Sequence, residues 1–215
     1  MVNPLSSELT YIVVSIAIVL LSLTVHEAAH AWSADRLGDS TARILGRLSL
    51  NPLVHIDPIG TVLLPLVAAV SNFPIIGWAK PVPVNTSRLA HPRRDFMIVA
   101  AAGPASNIAL AVLGAVLVQL IPSSPGFRPS DGLDLTSVLF MAGSINIFLA
   151  VFNLIPIPPL DGGNVLAGLL PPNAADVLDK LRPFGFIILY GLMFTGILGD
   201  LIVPPARFLL RLLFP

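Results

Sequence analysis

Apolar side chains dominate this chain in long stretches, separated by polar connections rich in proline, arginine and aspartate. The first stretch predicts a helix from about Glu8 to about Leu37, long enough at ~1.5 Å per residue to cross a ~30 Å hydrocarbon layer, with Gly38 as its stop. Further helices are expected from about Phe96 to Ile121, Thr136 to Phe152 and Phe184 to Ile202. Ile59 to Val70 is apolar but short, broken by Pro65 and followed by Pro74, Gly77, Pro81 and Pro83, which suits a re-entrant or interfacial segment. Between Asp35 and Pro58 the connection is polar; its alternation around Arg43 to Leu50 suits short strands. The tail from Val203 to Pro215 sets Arg207 and Arg211 among leucines, as an amphipathic interfacial segment would.

Composition turns this pattern into a class. Of 215 residues, 55% are hydrophobic and 11% charged, whereas a soluble domain carries roughly a quarter charged residues. The fold class is therefore an all-α polytopic membrane protein of about four spanning helices, with an irregular or short β segment between the first and second. It reads as one integral membrane unit over 1–215, its core at 9–163 and a C-terminal helix and tail at 184–215. Net charge is zero, so nothing points to nucleic acid. The absence of cysteine removes disulfides, thiolate catalysis and thiolate metal sites. The first helix is too long for a signal-peptide core, lacks a basic region before it, and is read as retained.

Against that background one cluster is costly. VHEAAHAW, Val25 to Trp32, puts His26, Glu27 and His30 inside the first apolar helix, where ionisable groups require partners. HExxH on a helix sets its histidines on one face, able to hold zinc beside the glutamate. A carboxylate in a membrane-embedded setting apart from this motif is Asp161, in FNLIPIPPLDGG after the third helix. If Asp161 is the third ligand, the first and third helices must run in the same direction, and Ile59 to Val70 must turn back instead of crossing. Charge agrees: that topology puts Arg36, Arg43, Arg47, Lys80, Arg88, Arg93, Arg94, Lys180 and Arg182 inside and Arg128, Arg207 and Arg211 outside, nine against three. The site then lies toward the cytoplasmic face.

Two histidines and a carboxylate leave a fourth position open, as catalytic zinc sites do. Such an ion acidifies water and polarises the carbonyl under attack, and Glu27 is placed to carry the proton to the leaving amine. The reaction class is amide hydrolysis. A helical substrate must be opened first, and its backbone can be held by strand addition along Ile155 to Leu160 or Arg43 to Leu50, with Asn153 and Asn107 as hydrogen-bonding groups.

HEAAH in one membrane helix, GPASN in the next and NLIPIPPLDGG after the third resemble the site-2 proteases, intramembrane zinc metallopeptidases. The resemblance covers roughly Val25 to Gly163; GRLSLNPLVHIDPIG and GWAKPVPVN are similar to the compact prokaryotic branch. It implies one zinc ion held by His26, His30 and Asp161, Glu27 as catalytic acid and base, and Asn153 and Pro156 in substrate handling. The implied substrate is a membrane protein with a transmembrane helix, cut within or near that helix as in regulated intramembrane proteolysis, in a multi-pass protein of the cell membrane.

Other readings stand beside this one. Asp161 also suits a simple turn before Gly162 and Gly163, and Asn107 an interhelical hydrogen bond. His55 reads as a loop histidine, His91 as solvent-facing, and Trp32 and Trp78 as interface anchors. A divalent-metal transporter calls for polar groups along several helices and often an internal repeat, and neither is seen. A non-catalytic helix-binding adaptor has no need of Glu27 beside the three ligands.

Overall fold

The structure is a computed structural model describing residues 4–71, 77–121 and 133–215. Its α-helices are α1 (Pro4–Arg36), α2 (Thr41–Ile44), α3 (Leu64–Ser71), α4 (Pro92–Leu120), α5 (Leu135–Asn153), α6 (Asp161–Leu169), α7 (Pro172–Leu181), α8 (Gly185–Phe194) and α9 (Ile197–Leu213). Among the described residues no strand forms. Three helices, α1, α4 and α5, are long and apolar enough to cross a membrane. Ile12, Val13 and Ile16 on α1 are more than half exposed, which is the surface a lipid-facing helix presents.

Small residues decide the packing. α4 lies between α1, α5 and α6, burying Ala100, Gly103, Ala111, Gly114 and Ala115, so neighbouring backbones approach closely. Ala111 joins Ile147 of α5 and Ala206 of α9 in one buried cluster; Ile155, Leu160, Leu189 and Leu198 form another beside the loop that leads to Asp161.

Two local expectations are corrected. Arg43 to Leu50 is not a strand: Gly46 N–H returns to Arg43 O and Arg47 N–H to Ala42 O, closing a turn after α2. Its alternation reflects a loop wound around the buried Arg47, whose guanidinium bonds the carbonyls of Val54, Lys80 and Pro81. The helix expected at Phe184 to Ile202 is divided into α8 and α9 at Gly196, whose φ of +81° ends α8. The paired segments Pro172–Phe194 and Ile197–Leu213 bend by 79°, and α9 takes in most of the expected tail. Uniform apolarity hid that break. Asp161, expected after the third helix, is the first residue of α6 and follows a turn over residues 154–160.

Pro58–Leu63 forms wide π turns that run into α3; the expected segment Ile59 to Val70 lies within these two elements. Residues 72–76, including Pro74, lie outside the described residues. At residue 78 the chain is back beside its start, where Trp78 N–H donates to Gly60 O at 3.2 Å and Thr61 Oγ1 to Trp78 O at 2.9 Å.

Candidate active site

His26 and His30 stand one helical turn apart on α1, so both imidazoles leave the same face. Their Nε2 atoms are 3.0 Å apart. Asp161, the first residue of α6, places Oδ2 3.1 Å from His26 Nε2 and 3.3 Å from His30 Nε2. A tetrahedral ion held at roughly 2.0–2.1 Å sets its ligand atoms roughly 3.3 Å apart, which these separations match.

The hydrogen bonds behind the ligands favour a cation in the same place. Val99 O can only accept, so His30 Nδ1, 2.7 Å away, carries a proton, and in the neutral ring Nε2 is then the bare nitrogen. Asp161 Oδ2 is buried and has no hydrogen-bond donor. Lone pairs crowded this closely repel unless a positive ion lies among them. The donor set fits a single metal.

Several backbones are shaped around this cluster. A Cβ on Gly103 would lie 2.4 Å from His30 Nε2 and 2.6 Å from His26 Nε2, so α4 can cross α1 here only without a side chain. A Cβ on Gly162 would meet Leu154 O at 2.3 Å, which explains the glycine following Asp161. At the far end of α6, Arg93 of α4 bonds the carbonyls of Ala167 and Leu170, satisfying terminal groups of the helix whose first residue is Asp161.

Glu27 is 9% exposed, and its Oε2 accepts the Val82 N–H at 2.9 Å. With His26, His30, Asp161 and Asn153 it lines a cavity of about 880 Å3, closed partly by Trp78 and Phe186, whose rings are 5.4 Å apart. Trp78 thus packs at the cavity, while Trp32 is exposed beneath the Arg36 guanidinium.

The remaining sequence candidates fall in different places. Asn153 faces the cavity and donates Nδ2 to Leu149 O at 2.9 Å. Pro156 is exposed and lies outside the cavity lining. Asn107, expected to bond substrate, is fully buried behind His26 with its amide directed at His26 and Asn146. His55 is buried against Ser49 O, and His91 is exposed; neither joins the ligand group. Sequence reasoning missed Gly103, Val82 and Asn146. The small residues of GPASN are the signal that could have found Gly103, whereas a backbone N–H such as that of Val82 carries no sequence signal.

The chain is 38% identical over 203 residues to YwhC of Bacillus subtilis, described as a candidate zinc metalloprotease, covering 93% of this chain and 86% of that protein. The chain belongs to peptidase family M50. The family's model matches residues 128–192, which include Asp161 but not the histidine motif. Rip2 of Mycolicibacterium smegmatis, described in the same terms, is 34% identical over 199 residues, covering 92% of this chain and 73% of its own. Rip2 of Mycobacterium tuberculosis is 33% identical over 189 residues, covering 87% and 69%. No solved structure matches significantly. This M50 member is a zinc-dependent peptidase of the site-2 protease family, as its motifs suggested, and its His26, His30 and Asp161 can hold one metal ion.

Proposed function

We propose that this M50 peptidase is an intramembrane protease, multi-pass in the cell membrane, that hydrolyses a peptide bond within or near a transmembrane helix of a membrane-protein substrate. The observation that carries this reading is the convergence of His26, His30 and Asp161 beside Glu27, in a cavity reached from helices apolar enough to cross a bilayer. His26, His30 and Asp161 hold the zinc ion. When bound there, it supplies Lewis acidity toward water and the scissile carbonyl. Glu27 takes the proton of the attacking water and returns it to the leaving amine. Its bond from Val82 N–H holds the carboxylate in place between these transfers.

Substrate must arrive with its backbone opened. Asn153 lies on the cavity wall, suited to bond a freed peptide group, and Ala79, Pro81, Val82 and Val84, which belong to no helix, line the same space. Pro156 acts on substrate only indirectly, by shaping the turn before Asp161. Ile59 to Val70 is re-entrant, a reading supported by the return of Trp78 to Gly60 and by the nine cations against three on the inner side. The active site then faces the cytoplasm.

The test compares purified wild type with Glu27→Gln on a panel of single-span substrates, with bound zinc measured in both. Cleavage lost with zinc retained is the expected result. Cleavage unchanged by the substitution, or metal flux into vesicles that survives it, overturns the proposal.

A further inference from the structure

Behind His26 lies a chain of amides that none of the peptidase chemistry above uses. Asn146 of α5 donates Nδ2 to Ala142 O at 2.9 Å and to Ser22 Oγ at 2.9 Å. A backbone carbonyl can only accept, so this end of the Asn146 amide must be its nitrogen. Its oxygen therefore faces Asn107, which answers with Nδ2 at 2.8 Å. That in turn fixes Asn107 Oδ1 toward His26 Nδ1, 2.6 Å away. An oxygen there demands a proton on Nδ1.

The geometry points to Asn107 and Asn146 as positioning residues that set the tautomer of His26, so that its Nε2 presents a bare lone pair to Asp161 and His30. The inference rests on the zinc-site reading for its purpose, but not for its geometry. Reversing Asn107 would bring its oxygen against that of Asn146 while allowing Nε2–H to point into the ligand cluster. Burial makes the relay strict: Asn107 is 0% exposed, Asn146 3% and Ser22 3%, so no bulk water can replace a misdirected amide. His30 needs one backbone carbonyl for the same result; His26 requires two side chains from two other helices. The relay starts on α5, where Ala142 O fixes the Asn146 amide, and ends on α1 at His26, passing through Asn107 of α4.

Groups that orient a metal-bound histidine in this way typically contribute roughly 10–100-fold to metal affinity. The experiment measures zinc affinity by chelator competition for wild type, Asn107→Leu, Asn146→Leu and Ser22→Ala, with 15N spectra of the histidine rings in the zinc-free chain. With four histidines in the sequence, the His26 ring nitrogens can be assigned by removing one histidine at a time. Asn107→Leu and Asn146→Leu should weaken zinc binding by roughly 10–100-fold. Ser22→Ala should leave it unchanged because Ala142 O still anchors Asn146. His26 should carry its proton on Nδ1 in wild type and as a mixture of both nitrogens in Asn146→Leu. Zinc affinity within twofold of wild type in both leucine variants, or Nε2 protonation in wild type, overturns the inference. A wild type that binds no zinc yet holds the Nδ1 proton would refute the zinc reading and leave the relay standing.

Discussion

Replacing Gly103 by alanine should separate metal binding from folding. The added Cβ would lie 2.4 Å from His30 Nε2 and 2.6 Å from His26 Nε2, where ordinary contact begins at 3.4 Å. One or both imidazoles must withdraw by about 1 Å, several times the ~0.2 Å tolerance of a metal-ligand distance. Zinc affinity should fall on the order of 100-fold, and residual cleavage at saturating zinc should fall by a similar factor, since a 1 Å misplacement costs about that much. The fold should survive, because opposing effects are of similar size. Overpacking costs about 1–3 kcal/mol, while alanine favours a helix over glycine by about 0.8–1.0 kcal/mol. The assay is zinc affinity by chelator competition, with the thermal midpoint of the zinc-free chain measured alongside. Gly191→Ala on α8 is the control, since its Cβ meets nothing within 4 Å. Wild-type zinc affinity in Gly103→Ala would show that the histidines are not held against α4 as described.

Two further outcomes follow from groups outside the ligand cluster. Burial pushes the Asp39 carboxyl up, but bonds from Thr41 and from the Asn85 N–H outweigh it and hold the carboxyl below its ordinary range. The folded chain therefore binds this proton less readily than the unfolded chain, so the stabilisation is complete above the ordinary carboxylate range and is lost as pH falls through the folded value. Thermal midpoints measured from neutral to acid pH should fall less steeply for Asp39→Asn, which starts lower at neutral pH; parallel curves would exclude this role. Val82→Pro removes the N–H that holds Glu27 and should lower kcat roughly tenfold or more with zinc retained, as loss of a hydrogen bond to a charged group predicts. Val82→Ala keeps the N–H and should be near wild type; equal losses in the two variants would locate the effect in the side chain.

The chemistry of this chain was open in its sequence because ionisable residues in apolar helices are too costly to place idly. His26, Glu27 and His30 announced themselves by their setting, and Asp161 by standing apart in another largely apolar stretch. The α1, α4 and α5 spans were equally legible, since length and apolarity set them. Less was visible wherever a decision depended on a neighbour. The break at Gly196 lies in apolar sequence that continues on both sides, and the loop around Arg47 has an alternation that mimics a strand.

Asn107 shows the division most clearly. The sequence offered it as a polar group in a packed helix, equally suited to substrate or to a helix contact. Three-dimensional placement commits its oxygen to His26, through an orientation fixed by Ala142 O on another helix. The sequence by itself pointed to a metal-dependent hydrolytic centre among helices apolar enough to cross a membrane, because residue type and spacing suffice for that. Only the tertiary structure decided which atoms face the metal, which glycine lets them meet and which amide sets their protons, because those choices are made by groups distant in the chain.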